Sequence, residues 1–291
     1  MKFLAEKRWG KDQKDRFCPH CGSLETYAFK NGLLYKCKYC QKQFTVKVGT
    51  IFTDSKVPLR KWFLAIYLAT SHKKGISSVQ LSKFIGTTQK TAWFMLQRIR
   101  YAIESGQEDL LGGGGKTIEV DETYIGGKAK NRAFRTTVPE KAVVFGMIER
   151  DGQARICHVK SSGARVLLPE IQKNVQPGTH INSDSWKAYA TLPEQGFGHA
   201  TVNHMKYEFT NGFVHTQNIE SAWSHFKRSI YGVYHFVSAK HLQKYCSEFE
   251  YRYNTRTMSD RERFDGWFKN THAHLPYKQL IKPYTRYTRT T

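Results

Sequence analysis

The spacing of apolar and polar residues separates the chain into regions of different secondary structure. Residues 1–52 contain short β-like stretches, around Tyr35 and over residues 44–48. Residues 56–106 instead repeat their apolar positions with the period of a helix. Pro58 stands where a first helix would begin, because proline fits the first helical position. Two more helices are predicted over residues 78–84 and 89–103.

The pattern changes after four glycines at 112–115, which we interpret as a flexible linker. Asp151 and Gly152 form a predicted hairpin turn between two strands. Strands are predicted over 116–124, 142–149, 155–159, 180–184 and 199–204, and helices over 164–174, 186–191, 219–229 and 239–252. This order indicates a mixed α/β domain over residues 112–254. Residues 255–291 form a basic, tyrosine-rich tail to which we assign no element.

The charge balance points to a polyanionic partner. Lysine and arginine number 46 against 24 aspartate and glutamate residues, which gives a net charge of +22. Such a field attracts nucleic acid, although a basic protein of the ribosome-associated kind would have the same balance. No apolar run is long enough for a membrane span, and the charged N-terminus lacks the apolar segment of a secretion signal. We therefore expect a cytoplasmic, nucleoid-associated protein of two or three domains.

Four of the six cysteines are spaced as metal ligands. Two C-x-x-C pairs with fifteen residues between them suit a tetrahedral, structural Zn²⁺ site; the ligands are Cys18, Cys21, Cys37 and Cys40. Redox activity of either pair is the alternative, and it leaves the spacing of all four unexplained. His20 lies between two ligands and could compete with them, but we expect it to be exposed. Four protein ligands leave no open position on the metal, so the zinc is not catalytic.

Two features could contact DNA. The segment 78–96 has the outline of a helix-turn-helix, in which Gly86 ends one helix and Thr87 or Thr88 caps the next. The second helix would place Gln89, Lys90 and Arg98 against DNA. The alternative is a helical hairpin used for packing. The cysteine-rich region also contains lysines, which are Lys30, Lys36, Lys38, Lys42 and Lys47. They could contact the DNA backbone, or they could simply form a solvated face of the protein.

Three carboxylates are candidates for a catalytic metal site. Asp121 and Asp184 stand near the ends of predicted strands, after Thr-Ile-Glu-Val and His-Ile-Asn-Ser, and Glu220 lies early in a predicted helix. Carboxylates from two strands and a helix can hold two Mg²⁺ ions for displacement at phosphorus. Lys227, seven residues after Glu220, lies on the same helix face and would contact the DNA phosphate. Each acid taken alone could equally be a surface residue.

Neighbouring residues offer alternatives for this site. Glu119 would point to the same side of its strand as Asp121, and Glu122 to the other side. Either could be mistaken for a ligand, and both rank below Asp121. His215 and Asn218 precede Glu220 and could border the site.

These motifs together resemble bacterial insertion-sequence transposases that join an N-terminal zinc ribbon to an RNase H-like DDE domain. The matching segments run from about residue 15 to about residue 255 and include Cys-Pro-x-Cys-Gly, Val-Asp-Glu-Thr-Tyr-Ile-Gly-Gly, Asn-Ser-Asp, Ile-Glu-x-x-Trp-Ser-x-x-Lys-Arg and Phe-x-x-Arg-Tyr-Asn. The resemblance implies that Asp121, Asp184 and Glu220 bind the metals and that Lys227 assists. Where the family often has Asn, this chain has Gln217.

The resemblance also predicts the overall organisation. We expect an α/β, multi-domain chain with double-stranded DNA as its partner and a homo-oligomer on that DNA. The predicted domains are a zinc ribbon (1–52), a helix-turn-helix-like segment (56–106), an RNase H-like mixed-sheet catalytic domain (112–254) and the basic tail (255–291). A non-catalytic DNA-binding regulator and a nuclease acting on RNA–DNA hybrids are the rival functions. The presence of all three acids argues against the regulator. The N-terminal hundred or so residues argue against the nuclease, which has no need of a DNA-reading module.

Overall fold

The computed structural model of the chain describes residues 1–104, 109–126, 141–203, 210, 212–272 and 274–282. Its contacts form two compact units. The first unit holds Met1–His72, Ile76–Gly106 and Met258–Thr291, and the second holds Lys73–Gly75 and Gln107–Thr257. No helix within the described ranges is both long and apolar enough to cross a membrane.

The first unit begins with a helix that the sequence pattern did not predict, followed by a small sheet. The elements are α1 (Lys2–Trp9) and the antiparallel strands β1 (Thr26–Ala28), β2 (Leu34–Cys37) and β3 (Gln43–Thr45), in the order β1-β2-β3. Trp9 is fully buried and packs edge-on against Tyr35. The Arg8 guanidinium donates to the carbonyl oxygen of Val46 at 2.7 Å, which ties α1 to the chain that follows β3.

Three helices follow, and they match the three predicted from apolar periodicity. They are α2 (Leu59–Ser71), α3 (Ser78–Ile85) and α4 (Gln89–Glu104). Ser77 caps α3 by accepting a hydrogen bond from the Gln80 backbone N–H. Gly86 ends α3 with a φ of 57°, a left-handed conformation that glycine adopts without strain.

The C-terminal segment is more ordered than a tail. Residues 258–282 include α8 (Asp260–Trp267) and α9 (Tyr277–Ile281), within the first unit. The reason is a cluster of aromatic side chains: the Phe268 ring lies 5.3 Å from Phe3 and 5.6 Å from Phe63, and Trp267 is fully buried. Residues 283–291 of the predicted tail lie outside the described residues.

The second unit is built on a mixed five-stranded sheet, which confirms the predicted mixed α/β class. Its strands lie in the order β6-β5-β4-β7-β8; the three on one side are antiparallel, whereas β7 is parallel to both β4 and β8. The strands are β4 (Thr117–Ile125), β5 (Ala142–Glu149), β6 (Ala154–Val159), β7 (His180–Asp184) and β8 (Gly198–Val202). The helices are α5 (Ala164–Asn174), α6 (Gln217–Ser229) and α7 (Ala239–Asn254).

Two predictions in this unit need correction. The glycine run is not a free linker: Leu111 forms a bridge with Val175, and the Gly113 backbone N–H donates to Thr179 Oγ1 at 2.9 Å. Gly112 has a φ of 83°, a left-handed conformation that glycine adopts without strain because it has no Cβ. The helix predicted at 186–191 is a single short turn of 3-10 helix, Lys187–Tyr189.

Both faces of the sheet are covered by apolar side chains. Ile118 and Val120 of β4 pack into the core on the α5 side, and Ile125 packs on the opposite side with residues of α6 and α7. Odd-numbered residues of β4 therefore point toward α6, and even-numbered residues point away from it.

Side chains of α7 cover the free edge of the sheet along β6. The backbone N–H groups of Ala154, Ile156 and His158 donate to side chains of three α7 residues, which are Asn254, Glu250 and Gln243. The Asn254 and Gln243 amides also donate to the carbonyl oxygens of Ala154 and Ile156. Asn254, the end of the Phe-x-x-Arg-Tyr-Asn motif, thus has a structural role.

Candidate functional site

The four cysteines of the ribbon come together as the sequence predicts. Within the described part of the chain they are the one group of three or more His, Cys, Asp or Glu whose ligand atoms all lie within 4.8 Å of one another. Sγ of Cys18 lies 3.6 Å from Sγ of Cys40, and the same distance separates Cys21 from Cys37. A tetrahedral zinc with Zn–S bonds of about 2.3 Å places its sulfurs about 3.8 Å apart, so the donor set fits zinc.

Local backbone geometry shapes this cluster. The Gly22 N–H donates to the Cys18 carbonyl oxygen at 2.8 Å, and Gly22 has a φ of 77°, which closes the first turn. Cys37 is the last residue of β2, so the hairpin brings the second pair to the first. His20 is exposed, as predicted, and is not part of the ligand cluster.

Asp121 and Asp184 lie on neighbouring parallel strands at the centre of the second unit. Glu119 of β4 is the Cα partner of Asn182 of β7, and continuing two residues along both strands brings Asp121 opposite Asp184. Matching positions in parallel strands face the same side, which here is the side of α6. Burial raises the pKa of the Asp121 carboxyl to about 7, and the charges of Glu122 and Asp184 contribute in the same direction.

Trp223 of α6 holds the Asp121 carboxylate. Its indole Nε1 donates to Asp121 Oδ2 at 2.8 Å. The space for the indole comes from Gly146, the Cα partner of Asp121 on β5. A Cβ atom at Gly146 would lie 2.6 Å from two ring carbons of Trp223, Cη2 and Cζ2. A residue without a side chain is therefore required beside Asp121 for this hydrogen bond to form.

Glu119 is the buried acid that anchors the start of α6. It is fully buried, and its Oε2 accepts from the backbone N–H groups of Asn218 at 2.9 Å and Ile219 at 3.2 Å. Its Oε1 accepts from the Asn218 side chain and from Arg150 Nε. A carboxylate at a helix N-terminus satisfies N–H groups that lack partners within the helix and complements the helix dipole. These contacts make Glu119 a positioning residue for α6.

Arg150 extends this anchor to the segment that precedes α6. It donates to the carbonyl oxygens of Phe213 at 2.6 Å and His215 at 3.1 Å. His215 Nδ1 lies 3.2 Å from Glu119 Oε1, so His215 borders the anchor. Sequence reasoning missed Arg150, because no motif marks an arginine in the turn after β5 as the partner of a distant buried acid. The even-numbered acid, Glu122, faces the other side and accepts from Tyr189 Oη at 2.6 Å.

Glu220 and Lys227 lie on α6, the helix that carries Trp223. Glu220 is exposed in the first turn, and its Oε1 accepts from Thr216 Oγ1 at 2.9 Å. Lys227, seven residues on, is half-buried in the last turn on the same face. With the side chains in these rotamers, Asp121, Asp184 and Glu220 do not form a ligand group of the kind that the four cysteines form.

The structure separates the three residues predicted to contact DNA. Gln89 and Lys90 are exposed at the start of α4, where Gln89 Nε2 donates to Ser78 Oγ at 2.8 Å. Arg98 is a correction: it is 4% exposed, and its guanidinium donates to the carbonyl oxygens of Ile51, Thr53 and Leu275. A buried arginine is tolerated only when its N–H donors are paired, and these three carbonyl oxygens pair them inside the first unit.

Comparison with known proteins gives matches in both parts of the chain. Residues 1–43 match a transposase zinc-ribbon domain, and residues 110–254 match an ISXO2-like transposase domain. An uncharacterised protein in the transposable element ISH50 of Halobacterium salinarum is 29% identical over 272 residues, which cover 86% of this chain and 88% of that protein. An uncharacterised transposase-like protein of Haemophilus influenzae is 28% identical over 95 residues, covering 33% of this chain and 76% of that protein.

One solved structure is also similar, at a low level. The crystal structure of the Mos1 strand transfer complex covers 75% of this chain and 77% of its own, with 10% identity and a TM-score of 0.31. A TM-score of that size does not bear on the fold or the function of this chain.

Proposed function

Because the chain belongs to the insertion-sequence transposases that join a zinc ribbon to an ISXO2-like transposase domain, we propose that it binds the ends of a mobile DNA element and catalyses Mg²⁺-dependent strand cleavage and strand transfer. The observation that carries this proposal is the placement of Asp121 and Asp184 at matching positions of β4 and β7, facing the helix that bears Glu220. Acids from two adjacent strands and an overlying helix are a suitable donor set for divalent ions at a phosphodiester.

The residues present fit magnesium. Asp121 and Asp184 bring like charges together at the sheet centre, and the pKa of Asp121 is raised by burial and by these neighbours, so a cation would relieve the arrangement. Bound there, Mg²⁺ would activate a water or 3′-hydroxyl and stabilise the leaving oxygen. Trp223 keeps Asp121 in one orientation, and Lys227 would contact the phosphate near the cut. The proposal requires the Glu220 side chain to leave Thr216 Oγ1 and join the two aspartates.

The DNA-binding part of the proposal rests on charge and exposure. Lys30, Lys38 and Lys42 are exposed on the zinc ribbon, and Gln89 and Lys90 are exposed at the start of α4. The net charge of +22 supports association with the phosphate backbone in the nucleoid. Two element ends must be held together during transfer, so we propose that a homo-oligomer forms on the DNA.

The test is a cleavage and strand-transfer assay on DNA carrying the terminal sequences of the element that encodes the chain. Wild type should cut and join in Mg²⁺. Asp184→Asn should lose activity by at least about a thousandfold and keep its DNA affinity, because the change removes ligand charge but keeps shape. Asp151→Asn is the matched control, since Asp151 is exposed in the β5–β6 turn. Wild-type cutting by Asp184→Asn would refute the assignment. DNA binding by an inert wild type would support the regulator instead.

A further inference from the structure

Two exposed aromatic rings are fixed next to the candidate active site. Tyr124 is 45% exposed and Trp186 is 48% exposed. Both are hydrogen-bonded to Ser162: Tyr124 Oη donates to Ser162 Oγ at 3.0 Å, and Trp186 Nε1 donates to the Ser162 carbonyl oxygen at 3.0 Å. With their polar atoms satisfied, the rings are held in place while much of their surface remains in water.

Both rings belong to the segments that carry the two central acids. The Trp186 backbone N–H donates to Asp184 Oδ1 at 3.0 Å, so the turn that orients Trp186 also orients that carboxylate. Tyr124 lies three residues beyond Asp121 on β4 and, as an even-numbered residue, points to the opposite face of the sheet; it is joined to Trp186 through their shared partner Ser162. The hydrogen bond from Trp186 to Asp184 therefore places the pair beside that acid, at the edge of the sheet where the parallel strands β4 and β7 end.

Packing does not account for the exposed indole. Four of the six tryptophans, Trp9, Trp62, Trp223 and Trp267, are at most 4% exposed, and Trp93 is half-buried. Trp186 alone among them presents a large part of its ring to solvent. Exposed basic residues lie close to the pair in sequence: Lys187 follows Trp186 directly, and Arg165 comes three residues after Ser162. Exposed aromatic rings beside cations are the usual features of a surface that binds single-stranded nucleic acid.

We propose that Tyr124 and Trp186 form a stacking site for an unpaired base of the DNA strand that is cut. This inference rests on the proposed function, because the carboxylates define where the strand lies. The base must be unpaired or terminal, since both faces of a base inside a duplex are covered by its neighbours. The site would hold the strand next to the scissile phosphate and would favour DNA whose ends are frayed or opened.

The test uses a forked duplex with 2-aminopurine in its unpaired arm, in buffer without Mg²⁺ so that no cutting occurs. Stacking on Trp186 should quench the 2-aminopurine fluorescence. Trp186→Ala should remove most of the quench and weaken binding to the fork by about 5- to 150-fold, the value of one base–aromatic stack. Trp186→Phe keeps a ring and should retain most of the affinity. Phe236→Ala, at an exposed aromatic residue outside the pair, is the control.

A blunt duplex of the same sequence separates stacking from backbone binding. Its affinity should be nearly the same for wild type and Trp186→Ala. Equal binding of the fork by wild type and Trp186→Ala would overturn the inference, and so would poor acrylamide quenching of Trp186 in the free protein, since the ring would then be covered. If wild type quenches the fork but never cuts it in Mg²⁺, the stacking site stands and the proposed catalytic function fails.

Discussion

The indole Nε1 of Trp223 donates a hydrogen bond to Asp121 Oδ2 at 2.8 Å, across 102 positions of sequence. This bond joins α6 to the central strand of the sheet at the acid most important to the proposed chemistry. One face of α6 thus carries Trp223 together with Glu220 and Lys227. The position of the helix and the orientation of Asp121 are therefore coupled.

We expect Gly146→Ala to disrupt that coupling. The added Cβ would lie 2.6 Å from the Trp223 ring, so the indole must move and its hydrogen bond to Asp121 must lengthen. Overpacking of this kind costs about 1–3 kcal/mol of the free energy of unfolding. The rate of strand transfer should fall by at least about tenfold. The melting temperature of the variant should be measured in parallel, to separate this loss of activity from loss of stability. Gly114→Ala is the control, because nothing lies within 4 Å of a Cβ at Gly114. Wild-type activity of Gly146→Ala would show that Trp223 is dispensable.

Glu119→Gln should destabilise the second unit and reduce activity without removing a metal ligand. A glutamine amide has only one acceptor oxygen, so its NH₂ group would face either the backbone N–H groups at the start of α6 or the Arg150 guanidinium, donor against donor. Arg150 would also lose its buried negatively charged partner. An unsatisfied buried donor costs about 1–3 kcal/mol. Thermal unfolding and the Mg²⁺ dependence of cleavage separate the two roles: we expect a lower melting temperature and an unchanged Mg²⁺ midpoint. Glu194→Gln, at an exposed acid, should change neither. A large rise in the Mg²⁺ midpoint would instead make Glu119 a ligand.

Glu250 should make the stability of the second unit depend on pH. Burial raises the pKa of its carboxyl from 4.5 to about 7, although Arg155 and the Ile156 N–H oppose the shift. The folded state therefore retains a proton that the unfolded state releases, so stability declines as pH rises from about 4.5 to about 7. Glu250→Gln lacks this dependence. The melting temperature of Glu250→Gln minus that of wild type should increase between pH 5 and pH 8 by on the order of 5 °C. A difference that is constant with pH would contradict the raised pKa.

Removal of zinc should unfold the ribbon and leave the mixed sheet intact. The lobe around β1 to β3 has few apolar residues of its own, and structural zinc sites of this kind supply much of the folding free energy. Metal analysis should find about one zinc per chain in wild type and well below one in Cys40→Ser. Cys157→Ala, in the second unit, should keep its zinc. Wild-type zinc content in Cys40→Ser would remove that residue from the ligand set.

The sequence identified features set by local spacing and missed those set by distant contacts. The two C-x-x-C pairs, the α2–α4 helices and the strand carrying Asp121 depend on residues close in sequence, and each appears where predicted. Arg98 looked like an exposed residue of a reading helix, but backbone carbonyls from 45 to 177 positions away accept its hydrogen bonds. Glu119 was placed on the correct side of its strand. Its cap on α6 could not be predicted, because the helix begins about a hundred residues later.

The cover of α7 over β6 limits how copies of the chain can associate. Every second backbone N–H of β6 from Ala154 to His158 is already used by an α7 side chain, as a neighbouring strand would use it. A strand from another molecule would have to displace Asn254, Glu250 and Gln243 before it could pair there. Sheet-to-sheet polymerisation through this edge is therefore blocked in the folded protein. Any homo-oligomer on DNA has to be built from surfaces other than the β6 margin of the sheet.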